Sequence, residues 1–275
     1  MTTTARRDRV APAAAPSGVA SRGVSEIRAD IVAEAKRVLE LAGAQGVPLR
    51  VLGGVAIHLR APQAPPPALT RTYGDVDFVT AKGSSAELQS LLRGAGYEPH
   101  TAFNALHGTE RLLFFDDGNE RQVDVFVGGF SMSHEVPVAE RLELEPDTLP
   151  LAELLVTKLQ IAELNEKDVR DALALLHGHP VDERDGDAIN AARVAEMCRT
   201  DWGLWRTLTG NLAACRDHLE RYDLPEDEKA RLRGEMDTLL DRIEREPKSR
   251  RWKLRARVGE RKRWYTLPEE VAGGP

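Results

Sequence analysis

The sequence has few cysteines, and Cys198 and Cys215 are its only two. Two isolated cysteines cannot build a disulfide framework, and they lack the spacing of a zinc knuckle. They fit a reducing interior, most simply as small residues of a hydrophobic core. We therefore expect a cytoplasmic protein that does not depend on disulfides.

Long apolar runs are also missing from the sequence. No stretch approaches the roughly 18 apolar residues that a membrane span needs. Residues 1–23 contain arginines but no apolar core, so they are not a secretory signal. This run is rich in Ala, Pro and Ser and poor in acidic residues, a composition that transit peptides share. We interpret residues 1–23 as a disordered leader.

The net charge is small for 275 residues, at −6, which argues against nucleic-acid binding by the whole surface. The charge is unevenly distributed, however. Residues 241–263 contain eleven basic and four acidic residues, which leaves −13 for the rest of the chain. The sequence therefore predicts an acidic body followed by a basic C-terminal arm, residues 247–275, that could contact RNA or dock on the acidic body.

Strand patterns are concentrated in the first half of the chain and helix patterns in the second. The runs PLRVLGG, GDVDFVT, ERLLFFDDG and ERQVDVFVGG are typical of strands, and Asp-Asp-Gly-Asn between the last two predicts a hairpin. From residue 150 onward the apolar spacing is helical. We predict an α+β fold, with a mixed sheet and flanking helices in residues 24–149 and a helical domain in residues 150–246.

The run GDVDFVT places two carboxylates, Asp75 and Asp77, on the same face of a strand, because side chains alternate along a strand. Two carboxylates so placed can share a divalent ion while nucleotide phosphates fill its other positions. A solvated strand edge would explain the pair equally well.

Asp124 lies in the strand-like run Gln-Val-Asp-Val-Phe-Val, among apolar and β-branched neighbours. A carboxylate in such a strand is either paired or metal-bound, because burying an unpaired charge is costly, or it points to solvent from the exposed face. Asp124 is therefore our third candidate metal ligand.

Two further features are consistent with phosphate binding. Gly53 and Gly54 end a strand and begin a helix, where backbone N–H groups can approach a phosphate, although a plain tight turn would use the same residues. Lys158 falls within the apolar stripe of its helix, so it either extends out to solvent or meets a specific anion. Asp168 and Asp171 share a face of the next helical segment, where they could pair with Lys167 and Arg170 or orient Lys158.

Taken together, these residues resemble the minimal nucleotidyltransferase superfamily, and most closely the AbiEii-type nucleotidyltransferases. The resemblance covers roughly residues 25–178 and rests on the order of five motifs. They are Val51-Leu52-Gly53-Gly54, Gly74-Asp75-Val76-Asp77, Val123-Asp124-Val125, Lys158-Leu159 and Lys167-Asp168-Val169-Arg170-Asp171.

The resemblance implies a nucleotidyltransferase-like fold and a function. Asp75, Asp77 and Asp124 would be the catalytic carboxylates. Asp75 and Asp77 would form two sites for Mg²⁺ or Mn²⁺, with Asp124 completing one of them and helping to activate an acceptor hydroxyl. ATP or another NTP would be the substrate, and its nucleoside monophosphate would pass to a small molecule, an RNA or a protein. Lys158 would contact the triphosphate, and Asp168 belongs to the same nucleotide site.

Two positions depart from the family pattern. Val55 stands where a serine usually follows the glycine pair, so a hydroxyl contact to phosphate is missing. Tyr73 stands where a Ser or Thr is common, and we assign its neighbour Arg71 to phosphate binding. The alternative function is therefore a catalytically degenerate nucleotide-binding or RNA-binding protein of the same fold.

Overall fold

The computed structural model describes residues 26–267, so the predicted leader at residues 1–23 and the end of the basic arm lie outside the described residues. A five-stranded mixed sheet with flanking helices precedes a helical region, which confirms the predicted α+β fold class. Within the described part of the chain, no helix is both long and apolar enough to cross a membrane.

The sheet has the strand order β1-β2-β5-β4-β3. Its strands are β1 (Leu49–Leu52), β2 (Asp75–Thr80), β3 (Glu98–Pro99), β4 (Arg111–Asp116) and β5 (Arg121–Val127). Strands β2 and β5 are parallel, and the other neighbouring pairs are antiparallel. The predicted hairpin is confirmed as β4 and β5, which a short 3₁₀ turn joins.

Four helices accompany the sheet: α1 (Ile31–Ala44), α2 (Gly53–Arg60), α3 (Ser85–Gly94) and α4 (Thr101–His107). Helix α1 begins at Ile31 because the Asp30 side chain accepts a hydrogen bond of 2.7 Å from the Ala33 amide, which is a helix N-cap. Helix α4 was not predicted. It lies against β4, where both polar ends of the Asn104 side chain bond the Leu113 backbone.

The second half of the chain is helical, as predicted. Its helices are α5 (Leu151–Leu159), α6 (Glu166–Gly178), α7 (Ala191–Thr200), α8 (Trp202–Leu219), α9 (Glu226–Arg245) and α10 (Arg250–Val258). Two short ladders accompany them, β6 (Phe130–Ser131) with β7 (Glu135–Val136) and β8 (Val181–Asp182) with β9 (Ile189–Asn190). The continuous helical pattern after residue 150 is interrupted before α6, which Asn165 caps by accepting from the Asp168 amide.

One apolar core runs from the sheet into the helical region. Helix α2 contacts both α5 and α6, so the start of the helical region packs directly beside the glycine pair. Cys198 and Cys215 are fully buried and unlinked, which confirms their predicted place in the core. This packing brings residues from distant parts of the sequence to one edge of the sheet.

Candidate active site

Two of the three aspartates lie side by side on neighbouring strands. In the parallel pairing of β2 and β5, Asp77 stands directly opposite Asp124, and Asp75 stands opposite Gln122. Residues so paired project from the same face of the sheet, and adjacent strands are separated by about 4.8 Å. The fold therefore brings the three carboxylates of the sequence prediction to one face, with Asp75 at its exposed end.

The glycine pair lets other side chains of the site approach the start of α2. Gly53 has a φ of +69°, and a methyl group there would collide with the Asp77 carboxylate. A methyl group at Gly54 would collide with the Arg71 guanidinium and the Tyr73 ring. The site itself therefore requires both glycines, in addition to the turn that they make.

The surroundings of Asp77 disfavour the negatively charged form of its carboxyl group. Burial raises the pKa of Asp77 well above its usual range, and the neighbouring Asp75 and Asp124 raise it further, while Lys158 and Arg111 oppose the shift. Among the described residues, no donor forms a hydrogen bond with this carboxylate. A cation at this position would offset the repulsion among the three carboxylates.

Asp124 is buried, and each of its carboxylate oxygens accepts a hydrogen bond within the protein. Arg111 Nε donates to Asp124 Oδ1 at 2.7 Å, and Gln122 Nε2 donates to Asp124 Oδ2 at 2.7 Å. Sequence analysis missed both partners. Gln122 had a signal, because it lies two residues from Asp124 and so shares its face of the strand. Arg111 required knowledge of the hairpin register.

Lys158 lies in a buried ion-pair network and does not extend to solvent. Its Nζ is 2.9 Å from Asp171 Oδ2 and 3.2 Å from Asp168 Oδ1. Burial alone would lower the pKa of Lys158, but Asp171 and Asp168 outweigh burial and leave it raised. Of the two roles open to Asp168 and Asp171, the structure supports the orientation of Lys158, since Arg170 pairs instead with Glu166.

Arg71 joins this network from the loop before β2. Its Nε and Nη2 donate to the two oxygens of Asp171 at 2.8 and 2.7 Å, a bidentate arrangement. Its guanidinium also lies 4.5 Å from the centre of the Tyr73 ring. Asp171, which was not among our predicted site residues, therefore holds the two predicted phosphate-binding cations, Lys158 and Arg71, beside the glycine pair.

The residues present suit a divalent cation of the Mg²⁺ type. Such hard cations prefer carboxylate oxygens, and Asp75 and Asp77 supply them without competing protein donors. Between residues 26 and 267, no three His, Cys, Asp or Glu side chains are already grouped to hold a metal ion. Asp124 is directed to Arg111 and Gln122 instead, so Asp75 and Asp77 are the two of the three carboxylates that accept no hydrogen bond from residues 26–267.

Val55, the departure from the family pattern, belongs to the core. It is 1% exposed and lies on α2 directly after the glycine pair. Its side chain offers no hydroxyl to a phosphate, so any contact near this turn comes from backbone N–H groups or from Arg71.

No family model and no curated protein matches the sequence. Among solved structures, the chain is similar to an antibiotic-resistance factor, ANT(2'')-Ia, with 14% identity and a TM-score of 0.37 over 52% of this chain and 81% of that one. It is also similar to a tRNA nucleotidyltransferase solved with a primer tRNA and an incoming ATP analog, with 16% identity and a TM-score of 0.27 over 82% of this chain and 64% of that one. Both similarities are distant, so the function is inferred below from this chain's own residues.

Proposed function

We propose that the protein is a metal-dependent nucleotidyltransferase of the AbiEii type, which transfers a nucleoside monophosphate from an NTP to an acceptor. The observation that carries this proposal is the pairing of Asp77 with Asp124 on parallel strands, beside the Gly53–Gly54 start of α2. Carboxylates that face a helix start and two cations form a site with separate places for metal and phosphate.

The metal would be Mg²⁺ or Mn²⁺, held by Asp75 and Asp77 with Asp124 as the third ligand. When bound, it supplies positive charge that neutralises the transferring phosphoryl group and its leaving group. The raised pKa of Asp77 supports this assignment, because a cation would favour the charged form of a carboxyl group that burial and the neighbouring aspartates otherwise hold protonated.

Lys158, Arg71 and the glycine pair would hold the triphosphate. The two cations lie against Asp171, and the N-terminus of α2 offers backbone N–H groups to an anion. Asp168 contributes by fixing the Lys158 ammonium. A triphosphate would bind the Lys158 ammonium and the Arg71 guanidinium, whose positions Asp168 and Asp171 already fix.

In the proposed reaction, the acceptor oxygen forms a bond to the α-phosphorus, and the bond from that phosphorus to the β-phosphate oxygen breaks. Pyrophosphate leaves with the electron pair of the broken bond. The proton of the acceptor hydroxyl passes to Asp124. General-base assistance of this kind typically accelerates a reaction by about 10²- to 10⁴-fold.

The proposal is tested with each α-labelled NTP, Mg²⁺ and separate small-molecule, RNA and protein fractions of a cell extract as acceptors. We expect label in one fraction with the wild type, and none with Asp75→Asn or Asp77→Asn, both of which should melt normally. Asp117→Asn is the matched control, because Asp117 is an exposed aspartate in the hairpin turn. Unchanged transfer by either site variant would remove the metal-site assignment.

The same assay separates an enzyme from a catalytically degenerate binding protein, which Val55 would favour. A degenerate protein binds Mg²⁺ and NTP but labels no fraction. The acceptor class is identified by whichever fraction carries the label.

A further inference from the structure

A groove of about 810 Å³ opens beside Arg111, the hydrogen-bond partner of Asp124. It is lined by Arg111 and by the aromatic rings of Phe103, Phe126 and Phe130, among others. Phe126 lies two residues from Asp124 on β5, so both project from the same face of the sheet. The groove has a volume typical of small-molecule sites, and Arg111 in its wall is bonded to the third carboxylate of the proposed active site.

Arg111 connects this groove to Asp124. Its guanidinium carbon lies 5.2 Å from the ring centre of Phe126 and 5.8 Å from that of Phe103. Its Nε is committed to Asp124 at 2.7 Å. Its two terminal nitrogens donate to no residue of the described chain, although the side chain is only 21% exposed. A guanidinium with unused donors in an aromatic-lined groove is suited to bind a carboxylate or phosphate bidentately.

The acidic residues that line the groove do not pair with the terminal nitrogens of Arg111 in the described part of the chain. Glu110 and Glu135 also line it, but both are exposed, and neither forms an ion pair with Arg111 in the described part of the chain. The carboxylate that Arg111 contacts is Asp124. An anion entering the groove would therefore compete with Asp124 for the same guanidinium.

We propose, resting on the proposed function, that this groove takes an acceptor with an anionic group on an aromatic or apolar body, and that Arg111 masks Asp124 until that anion arrives. The anion binds the guanidinium and weakens its hold on Asp124. Asp124 Oδ1 is then free to complete the metal site and to accept the proton of the acceptor hydroxyl, while Oδ2 still accepts from Gln122. Arg111 is thus a specificity residue that couples acceptor binding to assembly of the site.

A purely structural Arg111 predicts a different result. If the ion pair only held β4 to β5, its removal would lower stability and leave metal affinity unchanged or weaker. If Arg111 masks Asp124, its removal strengthens metal binding. Metal binding in the absence of nucleotide therefore distinguishes the two roles without any assay of activity.

The test is titration of Mn²⁺ alone into the wild type, Arg111→Met and Lys82→Met. Methionine retains an apolar stem for packing on the phenylalanine rings. We expect Mn²⁺ to bind Arg111→Met about tenfold more tightly than the wild type, the effect of losing one charge-assisted competitor. Lys82→Met is the matched control, since Lys82 is an exposed cation that lines the groove and has no contact with Asp124 among the described residues. Its Mn²⁺ affinity should match that of the wild type.

Phenyl phosphate, which has an aromatic body and an anionic group, is the probe for the groove. It should tighten Mn²⁺ binding to the wild type and have no such effect on Arg111→Met. The measurement on the wild type needs no variant, so the test holds even if Arg111→Met does not fold. Failure of phenyl phosphate to change the Mn²⁺ affinity of the wild type would overturn the proposal that the acceptor is anionic.

Asp77→Asn separates this inference from the function on which it rests. If Mn²⁺ binds the wild type, Arg111→Met and Lys82→Met equally and Asp77→Asn abolishes binding, the metal site stands and the masking role is overturned. If Mn²⁺ binds none of them, the proposed function and this inference fall together. Equal tightening in Arg111→Met and Lys82→Met would show a general charge effect and would also overturn the masking role.

Discussion

At the scale of single residues, the Lys158 ammonium shows how the surroundings of a side chain determine its role. Its side chain is 12% exposed and is held by two carboxylates, and one of these also binds Arg71. A lysine that only reached solvent would have no need of such partners. Asp171 thus holds Lys158 and Arg71 close to the glycine turn at the start of α2.

We predict that Lys158→Met weakens NTP binding by about tenfold or more, because one phosphate-binding charge is lost. The variant should also lose about 3 kcal/mol of stability, since it leaves Asp168 without its cation in a buried network. Isothermal titration and chemical denaturation measure the two effects. Lys167→Met, an exposed lysine on the next helix, is the control and should change neither quantity. Wild-type NTP affinity in Lys158→Met would refute its phosphate role.

At the scale of elements, the sequence predicted the strands and the faces of their side chains, but it did not predict the side-chain contacts between neighbouring strands. The alternation of Asp75 and Asp77 along β2 follows from strand geometry alone, and so does the place of Asp124 within β5. The Arg111 contact depends on the register of the hairpin, in which Asp124 stands opposite Leu113 and Phe126 opposite Arg111. A shift of one residue would turn Arg111 to the other face, and the hairpin prediction specified neither the turn type nor the loop length that sets the register.

For a similar reason, the sequence left the Lys158 network as one of two alternatives for Asp168 and Asp171. The pattern after residue 150 is consistent with continuous helix, and a continuous helix would carry Asp168 and Asp171 away from Lys158. The interruption between α5 and α6 lets the two helices pack together, which brings both aspartates to the lysine. Whether they orient Lys158 or pair with their own neighbours is therefore decided by tertiary packing.

Helix α1 contains a buried ion pair that the sequence did not reveal, and the segment just before β3 bonds to it through Tyr97 and the Ala95 carbonyl. Arg37 donates to both oxygens of Glu34 at 2.8 and 2.6 Å, and the Tyr97 hydroxyl also donates to Glu34. Burial would raise the pKa of Glu34, but the hydrogen bonds from Arg37, Tyr97 and the Arg28 amide outweigh burial and leave it lowered.

A lowered pKa in the folded state means that Glu34 stabilises the protein above the pKa of the unfolded chain. That contribution is lost as the pH falls through the lowered value. We predict that Glu34→Gln lowers the free energy of unfolding at neutral pH by about 3 kcal/mol. In acid, the difference in this free energy between the variant and the wild type should become smaller. Denaturation at several pH values checks this, with exposed Glu40→Gln as the control. A gap that stayed constant from neutral to acid pH would contradict the assignment.

At the scale of the whole molecule, the described part of the basic arm packs on the helical region. The Trp252 ring lies 5.1 Å from that of Trp205, and the Trp264 ring lies 5.9 Å from that of Trp202. The Trp264 indole also donates to Thr207 at 3.0 Å. Of the two roles open to the arm, docking is the one that these contacts support, while RNA binding remains a proposal for its exposed cations.

We predict that truncation after Glu246 lowers stability by about 2 kcal/mol or more, because the aromatic contacts are lost. The triple variant Arg250→Gln, Arg251→Gln, Lys253→Gln removes three exposed cations of α10 and should melt like the wild type. If the arm also binds RNA, the triple variant loses salt-sensitive RNA retention while keeping its stability. A truncated protein that melts like the wild type would contradict docking.

The central claim is that Asp75, Asp77 and Asp124 hold a divalent metal together with an NTP. Its most direct test is titration of a non-hydrolysable analogue of each NTP into the wild type, Asp77→Asn and Asp117→Asn, with Mg²⁺ and again with EDTA. We predict that one or more analogues bind the wild type and Asp117→Asn only with Mg²⁺, and that Asp77→Asn weakens this binding by about tenfold or more. Equal affinity in Mg²⁺ and EDTA, or wild-type affinity in Asp77→Asn, would contradict the claim.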